Sequence, residues 1–312
     1  MKRLLIISVI SIALIGCNSN DDVDNTNIGG ITITNDADCC SAEEALAVYN
    51  FLQTVKPVDG LGLTIDNQYD IQVYSKTGSF QTGYNDIYFV ATKKTTGNYI
   101  KFLDITNIKP LMLMTKMGMR HSTPIASEVT FFDSKVAAVK HGWISFIMPS
   151  GESGNWTLDF DVEVLKKNGR LEQAPITVDE LPNGQQWVKS FKVNDQTYYL
   201  SLVNPSDWAT GTNTVKAYIS VKSSDAKEPY KLADEPFTID IDPRMPDMGN
   251  HTSPDNEGLT RQIDDSYKGR INLTMTGLWR IHLTVSDAKG DVVAGGDNLN
   301  QGYSSLYWDV TL

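Results

Sequence analysis

Cysteine is nearly absent from this chain of 312 residues, which holds only Cys17, Cys39 and Cys40. So few thiols exclude a disulfide-stapled scaffold, and no Cys-x-x-Cys or His-Glu-x-x-His spacing offers a ready zinc site. Histidine is equally sparse, with four in all. The stretch GESG at 151–154 looks like a nucleophile loop, but no histidine motif upstream supplies a base. It reads better as an enlarged turn. No glycine loop leading into a helix is present to cradle phosphate. Basic charge is short as well: 27 Lys and Arg stand against 38 Asp and Glu, a net charge of −11. Such a surface repels nucleic-acid phosphates and anionic lipid heads, and attracts cations without choosing among them. After the first 16 residues no apolar run is long enough to cross a bilayer as a helix.

What is there begins with MKRLLIISVISIALIGC. Two basic residues precede an apolar run that stops at Gly16-Cys17, the pattern of a secretory signal peptide over residues 1–16. Its end, LIGC, resembles the lipobox of bacterial lipoproteins. That resemblance implies cleavage before Cys17, lipidation of Cys17 and attachment to a membrane through that lipid. Losing Lys2 and Arg3 takes the charge from −11 to −13. Residues 17–40 are polar and acidic and read as a flexible tether. Their acidic stretch resembles the surface-export signal of Bacteroidetes lipoproteins. The location implied is the cell envelope, as an outer-membrane or cell-surface lipoprotein.

Residues 41–56 carry a helix signal. Ser41 and Glu44 fit a capping box, and Ala45, Val48, Tyr49, Leu52 and Val55 mark one face. Cys39 and Cys40 precede this helix start, where a thiol pKa falls. They read either as a soft-metal or redox pair, or as two small buried residues or an intermolecular disulfide. After Pro57 the pattern changes to short alternating runs such as YDIQVYS, DIYFVATK, WTLDFDVEV and RIHLTVSD, broken by Gly, Asn, Asp and Pro. This is an all-β chain of sandwiches or barrels.

The runs occur twice in one order. Gly83 and Asn85 correspond to Gly211 and Asn213. MRHSTP corresponds to GNHTSP, setting His121 against His251 and Pro124 against Pro254. HGWISFIMPSGESGNW corresponds to KGRINLTMTGLW, pairing Gly142 with Gly269, Met148 with Met275 and Trp156 with Trp279. The copies span about 58–168 and 180–312, with a polar joint around KKNGRLEQ. Every methionine except the initiator lies in a matched segment, which is not how core-filling methionine is usually distributed.

This doubled pattern resembles the YtkA-like family of bacterial extracytoplasmic proteins and lipoproteins. The shared features are a Gly-x-Asn strand start, a Met-rich segment ending near His and Pro, then Gly, a Met-bearing strand and an MTGLW-type turn. The resemblance implies two tandem immunoglobulin-like β-sandwich domains outside the cytoplasm, and a part in copper handling. The first copy departs from the pattern by its extra methionines and its longer turn at SGESG.

The residues themselves point to the same chemistry. Thioether sulfur is soft and neutral, and it binds Cu(I) well and zinc or calcium poorly; imidazole binds copper in either state. Thioethers also suit an oxidising compartment where free thiolates are unreliable. On an extended strand Met117, Met119 and His121 would share one face. In the second copy Pro246 and Gly249 argue for a turn that gathers Met245, Met248 and His251. Met148 and Met275 could each add a sulfur from the next strand, or could fill the core. The candidate metal sites are therefore Met117, Met119, His121 and Met148, and Met245, Met248, His251 and Met275. Met112 and Met114 read as core or as an outer relay position. His141 reads as a surface turn residue, and His282 as a sandwich-face residue. Trp156 and Trp279 occupy matched core-like positions, which argues against a sugar-binding platform.

The function expected is a membrane-anchored, extracytoplasmic copper-binding protein with no enzymatic activity, which buffers Cu(I) or delivers it to a copper-accepting partner protein. Two other readings stand beside it: a metal-free surface binding or adhesion module, and an accessory factor for assembly of a respiratory copper enzyme.

Overall fold

The computed structural model describes residues 26–28, 31–33, 41–115, 118–152, 154–225, 228–297 and 304–312. Cys17, Cys39, Cys40 and Met117 lie outside the described residues. The chain is built of β-strands, with one α-helix among the described residues, α1 (Ala42–Leu52). The helix starts where the capping box places it. Ser41 Oγ accepts from the Glu44 amide, and the Glu44 carboxylate accepts from the Ser41 amide. Ala45 and Val48 are buried, as is Val55 just beyond the helix. They seal one side of the first β unit against Tyr88, Val90 and Val139.

The first unit contains β1 (Tyr69–Ser75), β2 (Gly83–Lys93), β3 (Leu103–Leu113), β4 (Arg120–His121), β5 (Thr130–Phe131), β6 (Val139–Phe146), β7 (Asn155–Val164) and β8 (Lys167–Ile176). They form two antiparallel layers. One layer has the order β4-β3-β7-β8, and the other is built on β5-β6-β2-β1. Between them lies an apolar core that includes Phe80, Phe89, Phe146, Trp156 and Phe160. The alternating burial of YDIQVYS on β1 shows the period of two expected for a strand with one face on the core.

The second unit contains β9 (Val188–Val193), β10 (Gln196–Asn204), β11 (Gly211–Lys222), β12 (Thr238–Met245), β13 (His251–Thr252), β14 (Glu257–Arg261), β15 (Tyr267–Leu273), β16 (Leu278–Ser286), β17 (Val292–Gly295) and β18 (Tyr307–Thr311). Here one continuous sheet runs β9-β10-β11-β15-β14-β12-β16-β17, because β14 pairs with both β15 and β12. Its core centres on Tyr267, Trp279, Leu283 and Trp308. The result is close to a barrel, whereas the first unit keeps two separate layers.

The matched sequence segments make matched structure. Gly83 pairs with Phe146, and Gly211 with Leu273, at the start of corresponding strands. Asn85 accepts from the Gln81 amide and donates to the carbonyls of Gln81 and Gly83. Asn213 repeats this with Ala209 and Gly211. The Gly-x-Asn motif is thus a side-chain lock that replaces missing backbone partners where the strand begins.

The residues Lys167–Ile176 correct the position of the joint. KKNGRLEQ is mostly strand β8, paired with β7 from Val164↔Lys167 to Trp156↔Ile176. A polar strand on the solvent edge of a sheet looks like a linker in sequence, because its outer face has nothing to bury. The chain passes between units after Ile176, by way of a two-residue strand, Val178–Asp179, parallel to Phe80–Gln81. The units touch. Trp143 stacks on Tyr218 with ring centroids 5.1 Å apart, Tyr84 packs on both rings, and Ser145 and Ser201 share a buried hydroxyl bond of 2.7 Å.

Candidate metal centre

In each unit the methionine segment ends a strand, turns tightly and returns as a two-residue strand bearing histidine. In the second unit β12 ends at Met245, and Pro246–Met248 form a single 3₁₀ turn. Gly249 then adopts φ +63°, and His251 pairs back across Met245. Proline presets the turn, and the left-handed position takes glycine because a Cβ would be strained there. In the first unit β3 ends at Leu113. The Gly118 amide bonds to the Met114 carbonyl, Gly118 has φ +62°, and His121 pairs back across Met112.

This geometry changes the membership of the first site. Met119 precedes the short strand that bears His121, and Met117 lies outside the described residues. Strand is confined there to Arg120–His121, and Gly118 just before Met119 has a left-handed backbone. The side chain that corresponds to Met245 is Met112. Each lies directly opposite the histidine of its unit. Met112 is fully buried and Met245 is 3% exposed. Sequence spacing missed Met112 because the stretch from methionine to histidine is three residues longer in the first unit. The signal that could have found it is Pro110, two residues before Met112, just as Pro243 stands two before Met245.

A tryptophan completes each corner. Trp156 pairs with Met112 on the other side of β3. Its indole Nε1 donates to the Met148 carbonyl at 2.9 Å. In the second unit Trp279 Nε1 donates to the Met275 carbonyl, also at 2.9 Å, and the His251 ring lies 6.4 Å from the Trp279 ring. Both tryptophans are fully buried. Met148 and Met275 are partly buried and pack on their cores. Each corner therefore brings together a buried Met, a cross-strand His, a Trp face and the backbone of a second Met. Met119 and Met248, about half exposed at 47% and 54%, sit in the loops that connect each Met–His pair.

His121 Nε2 is buried and has no hydrogen-bond partner among the described residues. An imidazole nitrogen in that state is either desolvated at a cost or free to accept a cation. Among the described residues no group of three or more His, Cys, Asp and Glu is placed to hold a metal. The donors gathered at each corner are an imidazole and thioethers, a set that suits a soft ion.

The other two histidines lie elsewhere. His141 is on strand β6 rather than in a turn. Its Nε2 lies 2.7 Å from Asp86 Oδ1, and it stacks on Tyr88. Asp86 also accepts from Tyr84, whose phenol pKa is pushed far above its usual range by burial, with the Asp86 charge adding to the effect. His282 is 2% exposed in β16, with Nδ1 unpartnered among the described residues. Burial lowers its pKa below the ordinary histidine value. Asp242 opposes this effect, and Arg244 and Arg280 add to it.

No family model matches the chain, and no curated protein matches it. Among solved structures, one with some likeness is pT26-6p, 10% identical, with a TM-score of 0.22. The match covers 80% of this chain, and the chain spans 66% of that protein's length. A likeness this loose says nothing about the site.

Proposed function

We propose that this chain binds copper, with Cu(I) favoured, through one Met/His corner in each β unit, and that it does so in the cell envelope as a lipoprotein anchored at Cys17. The observation that supports the reading best is the repeated cross-strand pair: Met112 opposite His121, and Met245 opposite His251. Both copies keep a thioether against an imidazole beside a tryptophan. His251 is exposed, so core packing does not require an imidazole at that position. His121 Nε2, buried and unpartnered, is the natural donor in the first corner. A neutral thioether and imidazole set binds Cu(I) without a net charge, which suits exchange more than permanent storage. An indole face can add cation–π attraction.

Met148, Met275, Met119 and Met248 are the further donors the geometry allows. The first two lie in the bends that follow β6 and β15, and the last two in the connecting loop. The exposed pair would meet an accepting protein first, so the reading includes delivery to a copper-accepting partner. The activity is binding and transfer, with no bond-making step.

The test is an anaerobic Cu(I) titration of the chain against a competing chromogenic chelator. Two equivalents should bind. His121→Ala together with His251→Ala should remove both or weaken them at least tenfold, and changing Cys39 and Cys40 to Ser should leave them in place. If no copper binds at micromolar concentration, the corners are packing, and the reading as an adhesion or binding module takes over.

A further inference from the structure

The two units differ at one place where their sequences can be matched residue by residue. Counting from Pro124 and Pro254, the segment Ser127-Glu128-Val129-Thr130-Phe131 corresponds to Glu257-Gly258-Leu259-Thr260-Arg261. In the second unit this segment is β14. It bridges the sandwich, pairing Thr260 with Thr238 and Leu259 with Ile239 on β12, while its other side pairs with β15. In the first unit the segment pairs only with β6, through Thr130↔His141 and Phe131↔Lys140. The edge of β3 that it would cover, Asp104–Lys109, has no strand beside it among the described residues. A cavity of about 410 Å³ lies there instead, bounded by that edge and by Ser122–Val129.

One residue explains the difference. A Cβ built on Gly258 would stand 3.0 Å from the Ile239 carbonyl oxygen and 2.9 Å from Asp240 Oδ1. Glycine avoids that crowding and favours the close approach of β14 to β12. The matched residue in the first unit is Glu128, whose Cβ and carboxylate would crowd the same approach to β3. The slot left behind is strand-shaped. It has an unpaired backbone edge on one wall and the partly buried side chains of Ile108, Ile125 and Val129 for an apolar residue to contact.

We propose that this slot takes an extended segment of a partner protein, added as a strand to β3, with one large apolar side chain and basic flanks. The template is the second unit's own Leu259, fully buried in the corresponding position. Free backbone groups supply affinity and the apolar pocket supplies selection, as in other strand additions. The basic flanks follow from the rim, where, among the described residues, Asp104, Glu128 and Glu228 are exposed against a single Lys109. The chain's own tether is a poor occupant, since residues 18–40 contain no Lys or Arg. The inference does not depend on copper.

The test uses the full chain and a fluorescein-labelled peptide, Lys-Gly-Leu-Thr-Arg-Lys, read by anisotropy. Saturable micromolar binding is expected, at least tenfold weaker for the same peptide with glutamate in place of its basic residues. Bound peptide should slow amide hydrogen exchange at Asp104–Lys109. Glu128→Gly should let the chain's own segment close the slot and weaken binding at least tenfold. Should that variant unfold, the exposed pair Asp104→Lys and Glu228→Lys must produce the same loss. The proposal fails if the basic peptide shows no saturation, or if it binds without protecting Asp104–Lys109. It also fails if those amides are protected by self-association of the chain, which would make a second copy the occupant.

Discussion

Replacing Met112 and Met245 by leucine separates ligation from packing more sharply than removing the histidines. Both side chains are buried, so alanine would open cavities costing about 2–5 kcal/mol each and confuse any affinity measurement. Leucine conserves volume and should cost less than about 1.5 kcal/mol per site. The second site should pay more than the first. The Met245 methyl Cε stands 2.9 Å from where a Cβ on Gly277 would be, so the side chain reaches fully across to that glycine. Leucine is one heavy atom shorter and leaves a gap there. In the first unit Met112 meets the matched glycine, Gly154, through its Cγ, an atom leucine retains, and the Leu113 carbonyl stands closer still. If these sulfurs are ligands, each substitution should weaken Cu(I) binding at its own site at least tenfold, about 1.4 kcal/mol. The melting temperature of the metal-free protein should move by only a few degrees. The assay is chelator competition on Met112→Leu, Met245→Leu and the double variant, beside thermal unfolding without metal. Copper affinity within twofold of the parent for the double variant would refute the role given to these two methionines, whatever the histidines do.

Other consequences can be checked with the same protein. Asn213→Ala removes three hydrogen bonds at a buried strand start and should cost about 1–3 kcal/mol in urea unfolding, with Asn85→Ala similar. Ser41→Ala breaks the capping box and should cost about 1 kcal/mol, read as easier proteolysis around α1. His282 is held neutral by burial, so its folded pKa lies below its unfolded one. The unfolded chain then binds the extra proton below about pH 6.5, and stability should fall as pH drops through that region toward the folded pKa. His282→Phe should flatten the urea midpoint between pH 7.5 and pH 5; an unchanged slope would mean that other groups carry it.

Much of this protein is legible in its sequence. Alternation and turn residues give an all-β chain, Ser41 and Glu44 place the helix start, and the two matched segments announce two related units. These signals are local: a period of two, a cap three residues long and a repeated order survive without any knowledge of what lies opposite. The pairing of Met112 with His121 is not local, because it depends on where the strand ends and how many residues the loop takes. A sequence reading that counts from the histidine therefore picks Met117 and Met119. The strand at Lys167–Ile176 was hidden for a related reason, since a polar edge strand has no apolar alternation to show. The fate of Glu128 and Gly258 was hidden most deeply. Whether one strand closes on another is decided by a contact of about 3 Å across the sheet, between residues far apart in the chain. Composition and periodicity set which elements form, and tertiary approach alone decides which side chains meet and which edges stay open.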